Sequence, residues 1–432
     1  YVLVKPLALH QDNEKNQIYL GTSDSLMGLF PGTQRFRTPS ESRSKGHSRP
    51  GANKIEKMVP FSWIHPGDRL VAAPHTRVIY YLQYPELRLS GFLKDSEGPE
   101  SLRRDELDRY GRRVLVLGVR STDVVGMVIT DADGPGLVDD LSGLPHLPGS
   151  SLLRTLTLPQ STTAIDPTRL LAELRELSGS LHDAVRLARP GQLPKFQRAN
   201  QGGGWTLEAL LGIPNNGVSA PDKYGFELKS FSTNRVTVIT TEPDFGYRHD
   251  YGVAEFLKVF GWPSKSDASK RVFNGPYYCN TELRGNTFTI DHWDFENNAP
   301  DGSGEPTVLL VNIDTATVIE GWSFDHLSAH WNLKHAGALY VETSGQRMDP
   351  GRYPSHYMFG PVAYLGLGTS ILHLLRAVGS RVVHLDPGDS LNSLGKVHPR
   401  TQWRVAGNRA APLSNQLAHL YDEFQVIDLA SQ

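Results

Sequence analysis

The stretch APDKYGFELKS, residues 220–230, places an aspartate, a glutamate and a lysine within eight residues and also alternates in polarity. Apolar Phe226 and Leu228 alternate with charged Glu227 and Lys229, and a β-strand places residues i and i+2 on the same face. The stretch therefore predicts a strand that buries its two apolar side chains and projects its glutamate and lysine together. A charged surface strand is the alternative interpretation, because long chains often contain this pattern by chance.

The residues before the strand add oxygen ligands to this face. Asp222 lies in a predicted turn and reaches Glu227 if Tyr224 and Gly225 already belong to the strand. The peptide carbonyl of Leu228 lies between the two charged side chains. Mg²⁺ prefers hard oxygen ligands and takes few from the protein, so two carboxylates and one carbonyl suffice. The pattern predicts a Mg²⁺ site at Asp222, Glu227 and Leu228.

Phosphodiester hydrolysis would use such a site. The reaction needs an attacking water, relief of charge in the transition state and stabilisation of the leaving oxygen, and one or two Mg²⁺ ions supply all three. Lys229 would lie beside the attacking water and orient it. A predicted short helix, GWTLEALLGI at residues 204–213, carries Glu208 and would bring a third carboxylate over the strand.

The longer stretch GGGWTLEALLGIPNNGVSAPDKYGFELKS resembles the catalytic signature of the MvaI/BcnI group of restriction endonucleases, which are related to the mismatch-repair nickase MutH. The resemblance spans most of residues 166–405. It implies an α/β restriction-endonuclease-like fold with a PD-(D/E)XK motif, in which Asp222, Glu227 and Lys229 are catalytic and Glu208 is the accessory carboxylate. It also implies Mg²⁺-dependent hydrolysis of double-stranded DNA at a short CCNGG-type (CCWGG-like) site.

The C-terminal segments GSRVVHLDPGDS and VHPRTQWRV resemble the region from which this family reads base edges. Asp386 and Arg404 match best, because arginine bridges guanine O6 and N7 and aspartate accepts a hydrogen bond from cytosine N4. The other polar residues of this segment are either base readers or solvated loop residues: His384, Asp389, His398 and Arg400.

The first 130 residues predict an all-β domain. Segments rich in β-branched and aromatic residues predict strands at Asn16–Gly21, Thr76–Tyr84, Glu86–Phe92, Arg113–Arg120 and Val124–Thr130. They resemble the N-terminal effector domain of EcoRII, a DNA-binding pseudobarrel with two arms. The resemblance implies DNA contacts from Lys15, Asn16, Gln17 and Tyr19 on one arm and from Tyr81, Glu86, Arg88 and Ser90 on the other. An ordinary β-barrel with exposed polar edges is the alternative.

The uneven distribution of charge along the chain supports a division into two functional halves. Residues 1–120 carry 19 Lys and Arg against 13 Asp and Glu, and the remainder carries 25 against 33. A basic front half suits a domain that binds DNA backbone, although chance asymmetry explains it equally. We predict two domains, 1–145 and 166–432, joined by a linker at 146–165. A mobile loop is predicted at residues 31–60.

The pattern of the second half is mixed. Asp166 and Pro167 predict the start of a helix. Its apolar residues recur at helical spacing as far as Leu181 and Val185, and Pro190 is predicted to end it. Another helix is predicted at residues 369–379, and strands are predicted at residues 224–232, 235–241, 307–314, 337–344 and 381–386, the first two of them adjacent.

Composition narrows the function classes. One cysteine in 432 residues excludes a disulfide framework and a cysteine-rich zinc site, and no apolar run reaches the length of a membrane span. We therefore expect a cytoplasmic protein without membrane partners, and the resemblance implies a bacterial one. The Gly-rich NQGGGW lacks the Lys-Ser/Thr ending of an NTP-binding loop, so ATP is not expected.

A monomer that cuts the two DNA strands in turn is expected. The alternatives are a strand-specific nickase and a catalytically silent two-domain DNA-binding protein.

Overall fold

The structure is a computed structural model. It describes residues 2–8, 17–37, 53–65, 69–103, 107–120, 122–147, 150–156, 167–189, 192–199, 201–214, 222–334 and 337–430. The chain divides into two compact units. The first comprises Tyr1–Ala164 with Gly368–Ser370, and the second comprises Ile165–Leu367 with Ile371–Gln432.

The first unit is built almost wholly of short strands. They are Val2–Pro6 (β1), Ile18–Gly21 (β2), Gln34–Arg37 (β3), Lys54–Met58 (β4), Phe61–His65 (β5), Arg69–Ala72 (β6), Arg77–Tyr81 (β7), Glu86–Ser90 (β8), Arg113–Val119 (β9), Val124–Thr130 (β10) and Arg154–Leu156 (β11). Short helices are Leu107–Tyr110 (α1) and Leu137–Ser142 (α2), and 3₁₀ turns lie at Asp24–Leu29 and Glu100–Leu102. Each of the five segments predicted as strands contains one, which confirms those predictions.

The strands of the first unit form two sheets. One has the order β11-β1-β9-β10-β5-β6 and the other β2-β8-β7-β4-β3. Only β10 and β5 pair in parallel among these described strands. Alternating residues of the sheets are buried, and Trp63 is fully buried where its indole donates a hydrogen bond to the Phe92 carbonyl at 2.8 Å. The first unit is therefore largely β, as predicted.

Two predicted irregular regions contain strands. The predicted loop at 31–60 includes β3 and β4, which pair with each other, while β4 also pairs with β7. Phe36 and Ile55 supply their buried side chains. The predicted linker includes β11, which pairs with β1. The strands in these two regions are short and largely polar. Their conformation therefore depends on pairing with a partner strand, which the local sequence does not indicate.

The second unit is mixed α and β. Its helices are Pro167–Leu177 (α3), Gly202–Leu210 (α4), Tyr247–Phe260 (α5), Phe324–Lys334 (α6), Ile371–Gly379 (α7) and Leu413–Ala418 (α8). Its strands are Leu181–Asp183 (β12), Val185–Arg186 (β13), Lys195–Phe196 (β14), Glu227–Phe231 (β15), Arg235–Ile239 (β16), Trp262–Pro263 (β17), Arg271–Asn274 (β18), Thr281–Leu283 (β19), Asn286–Asp291 (β20), Trp293–Asp294 (β21), Ala299–Pro300 (β22), Thr307–Asn312 (β23), Thr317–Trp322 (β24), Gly337–Gln346 (β25), His356–Leu367 (β26), Val383–Leu385 (β27), Gly388–Leu391 (β28), Val397–His398 (β29), Trp403–Ala406 (β30) and Glu423–Asp428 (β31). Within the ranges given above, no helix has the length and apolar character to cross a bilayer.

The central sheet of the second unit has the order β12-β26-β25-β15, and β31 also pairs with β26. Strand β15 lies at the end of this order and pairs in parallel with β25. Smaller sheets have the orders β16-β30-β27, β17-β18-β28-β29 and β19-β20-β23-β24. The predicted adjacent strands β15 and β16 are thus consecutive in the chain but belong to different sheets.

One face of the central sheet is covered by helices. Leu174 of α3 and Leu207 of α4 share a buried cluster with Phe226, Leu228 of β15 and Leu339 of β25. The alternation of β15 therefore directs Glu227 and Lys229 to the opposite face, as the sequence predicts.

The first helix of this unit is shorter than predicted. It ends at Leu177, and Gly179 adopts a left-handed φ of +74°, a conformation that terminates helices and that glycine adopts without strain. Leu181 then belongs to β12 and Val185 to β13. Their helical spacing was misleading because pairing with β26 determines the conformation of β12. The predicted N-cap Asp166 lies outside the described residues.

A buried ionic cluster joins three elements of the second unit. Arg248 of α5 is 2% exposed, and its Nε lies 3.1 Å from Oδ2 of Asp389 on β28 and 3.3 Å from Oε1 of Glu320 on β24. The guanidinium also pairs with Glu242 near the surface. Both Glu320 and Asp389 are fully buried. Arg248 is thus the cation that faces two acidic side chains removed from water.

Replacing that cation should destabilise the unit strongly. In Arg248→Met the buried Asp389 loses its cationic partner, and breaking a buried pair in this way costs about 3–5 kcal/mol. Urea unfolding at neutral pH measures the change. Lys258→Met is the control, because Lys258 lies on the same helix and forms only an exposed pair with Glu255 at 3.0 Å. Equal stability of the two variants would contradict the role given to Arg248.

The cluster also makes stability depend on pH. Burial raises the pKa of Glu320 from its ordinary value of 4.5 to about 8, although Arg248 opposes the shift. Because its pKa is higher in the folded state than in the unfolded state, this carboxyl contributes its full stability to the folded state below pH 4.5. The contribution is lost as the pH rises through about 8. Glu320→Gln removes this titration.

The free energy of unfolding of Glu320→Gln, relative to wild type, should therefore increase from pH 4.5 to about 8 and then level off. The slope should approach, and not exceed, roughly 1.4 kcal/mol per pH unit, the limit for one titrating proton. Urea unfolding across this range measures it, with exposed Glu342→Gln on β25 as the control. A constant difference between variant and wild type would refute the buried titration.

Candidate active site

A tight turn precedes β15 and determines where Asp222 lies. Tyr224 and Gly225 have left-handed φ angles of +48° and +78°, and the Phe226 amide donates to the Lys223 carbonyl at 2.9 Å. Two consecutive left-handed residues form the turn type that closes two-residue hairpins. The expectation that Tyr224 and Gly225 begin the strand is therefore wrong, because the turn reverses the chain there.

The reversal nevertheless brings Asp222 to the strand. Its backbone amide donates to the Phe226 carbonyl at 2.8 Å, and its side-chain Oδ2 accepts from the Leu228 amide at 2.8 Å. Within an extended strand the N–H and C=O of one residue point to the same side. The Leu228 carbonyl therefore points toward the edge of β15 at which the Asp222 carboxylate lies, as a shared metal site requires.

Glu227 and Lys229 are in direct contact. Lys229 Nζ donates to Glu227 Oε1 at 2.5 Å, and Glu227 is only 3% exposed. The second oxygen, Oε2, is buried and has no hydrogen-bond partner in the part of the chain that the structure describes. A buried carboxylate oxygen without a partner is costly, and a bound cation would compensate it. The donor set thus fits a hard divalent cation.

Glu208 occupies α4 and is half-buried. Gly204, one turn earlier, approaches β15 closely: a Cβ at Gly204 would lie 3.5 Å from Ser230 Oγ. Glu208 therefore lies on the helix face toward β15, but α4 covers the Leu228 face of the sheet. Among the described residues, no three His, Cys, Asp or Glu side chains are grouped to hold a metal, so Glu208 does not join Asp222 and Glu227 in such a group.

Two tyrosines under Glu227 have no signal in the sequence. Tyr340 of β25 pairs in register with Lys229, and its hydroxyl lies 2.7 Å from that of Tyr421. Both are almost fully buried. Burial is the main cause that raises the pKa of each, and the charge of Glu227 contributes, so both hydroxyls keep their protons. Only the pairing of β15 with β25 reveals this neighbourhood.

Asp386 and Arg404, the two best-matched candidates for reading bases, lie together. Arg404 of β30 donates through Nη1 to Asp386 Oδ2 at 2.7 Å and through Nε to Thr237 Oγ1 at 3.2 Å. His384 of β27 pairs in register with Arg404 and is 2% exposed. Burial lowers the pKa of His384 to about 4, so its imidazole is neutral. Asp386 and Arg404 thus present an acceptor and a donor side by side.

The remaining C-terminal candidates have different environments. Asp389 is fully buried, pairs with Arg248 and accepts from the Arg400 amide at 2.6 Å. It is therefore neither a solvated loop residue nor positioned to contact DNA, and the sequence offered no sign of its buried partner. His398 and Arg400 are exposed. The Arg400 side chain covers Gly388, where a Cβ would lie only 2.1 Å from Arg400 Nε.

In the first unit, the two predicted arms meet. Gln17 Nε2 donates to Tyr81 Oη at 3.3 Å, and Arg88 Nη1 donates to Gln17 Oε1 at 3.2 Å. Arg88 also binds Glu86 through Nε at 2.9 Å. Tyr19 is 36% exposed and pairs in register with Arg88. These side chains of β2, β7 and β8 form one polar group.

Three further candidates on the arms differ from this group. Ser90 is buried, and its Oγ lies 3.5 Å from Gln17 Nε2, so it supports the group from inside the fold. Lys15 and Asn16 lie outside the described residues.

Comparison with known proteins agrees with the motif. The model of the MvaI/BcnI restriction endonuclease family matches residues 183–413. The structure titled "Restriction endonuclease MvaI-cognate DNA substrate complex" is 18% identical with a TM-score of 0.44, covering 60% of this chain and 99% of that chain. MvaI in the absence of DNA is 14% identical with a TM-score of 0.32, covering 61% and 99%. No curated protein sequence matches. Because the family match extends over more than half of the chain and includes Asp222, Glu227 and Lys229, the chain belongs to the MvaI/BcnI restriction endonuclease family.

Proposed function

We propose that this type II site-specific endonuclease hydrolyses double-stranded DNA with Asp222, Glu227 and Lys229 as its PD-(D/E)XK residues. One observation carries the proposal: Glu227 is buried, Lys229 binds one of its oxygens, and the other has no partner among the described residues. Such a carboxylate is suited to a bound cation rather than to a surface strand. The charged-strand alternative is disfavoured, because Glu227 is not on the surface.

The proposed metal is Mg²⁺, held by Asp222, Glu227 and the Leu228 carbonyl, which are the hard oxygen ligands it prefers. When bound, Mg²⁺ activates water and neutralises charge on the phosphate. Lys229 would hold the attacking water and donate a hydrogen bond to the phosphate oxygens. Glu208 would act only as an accessory carboxylate outside this ligand set, from α4 on the Leu228 face of the sheet.

The proposed target is a short G·C-rich site of the CCNGG type (CCWGG-like). Arg404 and Asp386 support it, because an arginine beside an aspartate matches the acceptors of guanine and the donor of cytosine in one base pair. His398 and Arg400 are exposed on the same segment and would contribute further contacts. We propose that the chain acts as a monomer in the bacterial cytoplasm and that cleavage uses no ATP.

The first unit is proposed to bind DNA through its polar group on β2, β7 and β8, as an EcoRII-like effector domain would. Gln17, Tyr19, Tyr81, Glu86 and Arg88 would provide the contacts. Arg88 also lies 5.9 Å from the centre of the Tyr81 ring, which would stiffen it before DNA binds. Preorganised donors cost less entropy on binding than free ones do.

Supercoiled plasmid incubated with Mg²⁺ tests the activity. A restriction enzyme yields linear fragments with uniform ends, and sequencing those ends gives the target. Open circles alone would indicate the nickase instead. Unchanged plasmid with a gel shift would indicate a silent DNA-binding protein.

Glu227→Gln should abolish cleavage and retain DNA binding in Ca²⁺, because the amide lacks the negative charge that holds the metal. The cleavage rate should fall by at least about 100-fold, as expected when a group that acts on the reacting atoms is lost. Gel shift measures binding. Glu342→Gln on the neighbouring strand β25 is the exposed control and should cut at the wild-type rate. Wild-type cleavage by Glu227→Gln would place the active site elsewhere.

Arg88→Met should weaken DNA binding by about 1–3 kcal/mol, as expected for loss of one base-reading arginine. Titration of labelled DNA at several salt concentrations measures it. Arg120→Met is the control, because Arg120 is also in the first unit and is also paired with a nearby carboxylate, that of Asp123. Equal affinity of the two variants would exclude the β2–β8 group as a DNA contact.

A further inference from the structure

The turn that positions Asp222 contains a strained residue. Tyr224 adopts φ +48°, which costs a non-glycine residue about 1–2 kcal/mol. Strain of this kind persists where neighbouring contacts determine the conformation, and such positions are common at active sites. Tyr224 lies two residues from Asp222, so whatever holds Tyr224 also holds the aspartate.

Glu173 of α3 makes those contacts. Its Oε1 accepts from the Tyr224 hydroxyl at 2.6 Å, and its Oε2 accepts from Lys223 Nζ at 2.5 Å. Both carboxylate oxygens are thus used on consecutive residues of the turn. Arg169, one helical turn earlier, lies over the Tyr224 ring at 4.5 Å. Charge-assisted hydrogen bonds such as these are short and directional, so the two side chains have little freedom.

The same lysine extends the contact to α4. Lys223 Nζ also donates to the carbonyl of Leu211 at 2.6 Å, directly after the last residue of α4. Carbonyls at the C-terminus of a helix lack partners within the helix and attract cations. The turn is therefore fastened to α3 by Glu173 and to the end of α4 by Lys223.

We infer that Glu173 is a positioning residue for the active site, which clamps Lys223 and Tyr224 and thereby holds the Asp222 carboxylate against the Leu228 amide. This inference rests on the proposed function, because it assumes that Asp222 acts in cleavage. Although burial alone would raise the pKa of Glu173, its hydrogen bonds to Lys223 and Tyr224 and its charged neighbours lower the pKa overall, so the clamp is ionised at neutral pH. Helix α3 precedes residue 183, where the family match begins.

The test uses the full chain with Glu173→Gln, which keeps the shape of the side chain and removes its charge. Single-turnover cleavage of plasmid should slow by about 10- to 100-fold, the usual effect of releasing an outer support of metal ligands. The Mg²⁺ concentration at half-maximal rate should rise, and DNA affinity in Ca²⁺ should stay within about twofold. Tyr224→Phe removes one of the two clamp bonds and should give a smaller loss in the same direction.

Hydrogen exchange provides a readout that does not depend on activity. The Leu228 amide donates to Asp222, so its exchange should accelerate in Glu173→Gln while the rest of the second unit keeps its protection. Glu176→Gln is the matched control, since it removes the same charge from an exposed position on the same helix. It should match wild type in cleavage and exchange.

Two results would overturn the inference: cleavage by Glu173→Gln within twofold of wild type, or faster exchange spread evenly over the second unit, which would indicate a general structural role. Failure of the proposed function is a separate outcome. In that case the wild-type protein itself leaves the plasmid uncut, whereas failure of this inference requires an active wild type.

Discussion

The Leu228 amide donates to the Asp222 carboxylate across 2.8 Å, and this contact joins the turn at residues 223–226 to the edge of the central sheet. The sheet supplies Glu227, Lys229 and the Leu228 carbonyl, and the turn supplies the aspartate. Because β15 is the last strand in the order of its sheet, no further strand of that sheet occupies this edge in the part of the chain that the structure describes. An inner strand would use the Leu228 amide in a ladder and exclude Asp222.

Burial gives the site its electrostatic character. The hydrophobic cluster under β15 leaves Glu227 on a face where Lys229 and the Tyr340–Tyr421 pair surround it. A carboxylate removed from water interacts strongly with the few charges near it, so Lys229 has a larger effect than an exposed ion pair would. Burial has the same effect around Arg248, whose buried partners Glu320 and Asp389 join the helix α5 to the strands β24 and β28.

The segment proposed to read bases depends on that second cluster. Asp389 accepts both from Arg248 and from the Arg400 amide, so the backbone before the exposed Arg400 is tied to the interior. A hydrophobic contact would leave more positional freedom than directional bonds to a carboxylate. Asp386 and Arg404 are held in turn by the pairing of β27 with β30. The residues proposed to read and to cut DNA are thus both supported by buried polar contacts from distant parts of the chain.

The local sequence pattern was sufficient to predict the strand β15, the helix α4 and five strands of the first unit. It also predicted that Glu227 and Lys229 share a face, because alternation and helical spacing indicate which side chains are buried. It failed where a partner decided the outcome. Gly179 and the pairing of β12 with β26 ended α3 early, and pairing with β7 and β1 made strands of parts of the predicted loop and linker. Asp389 is buried because Arg248 pairs with it. The sequence by itself determined which residues are proposed to bind a metal. Only the tertiary structure decided that Asp222 reaches them through a left-handed turn, since that contact depends on Glu173, fifty residues away in the chain.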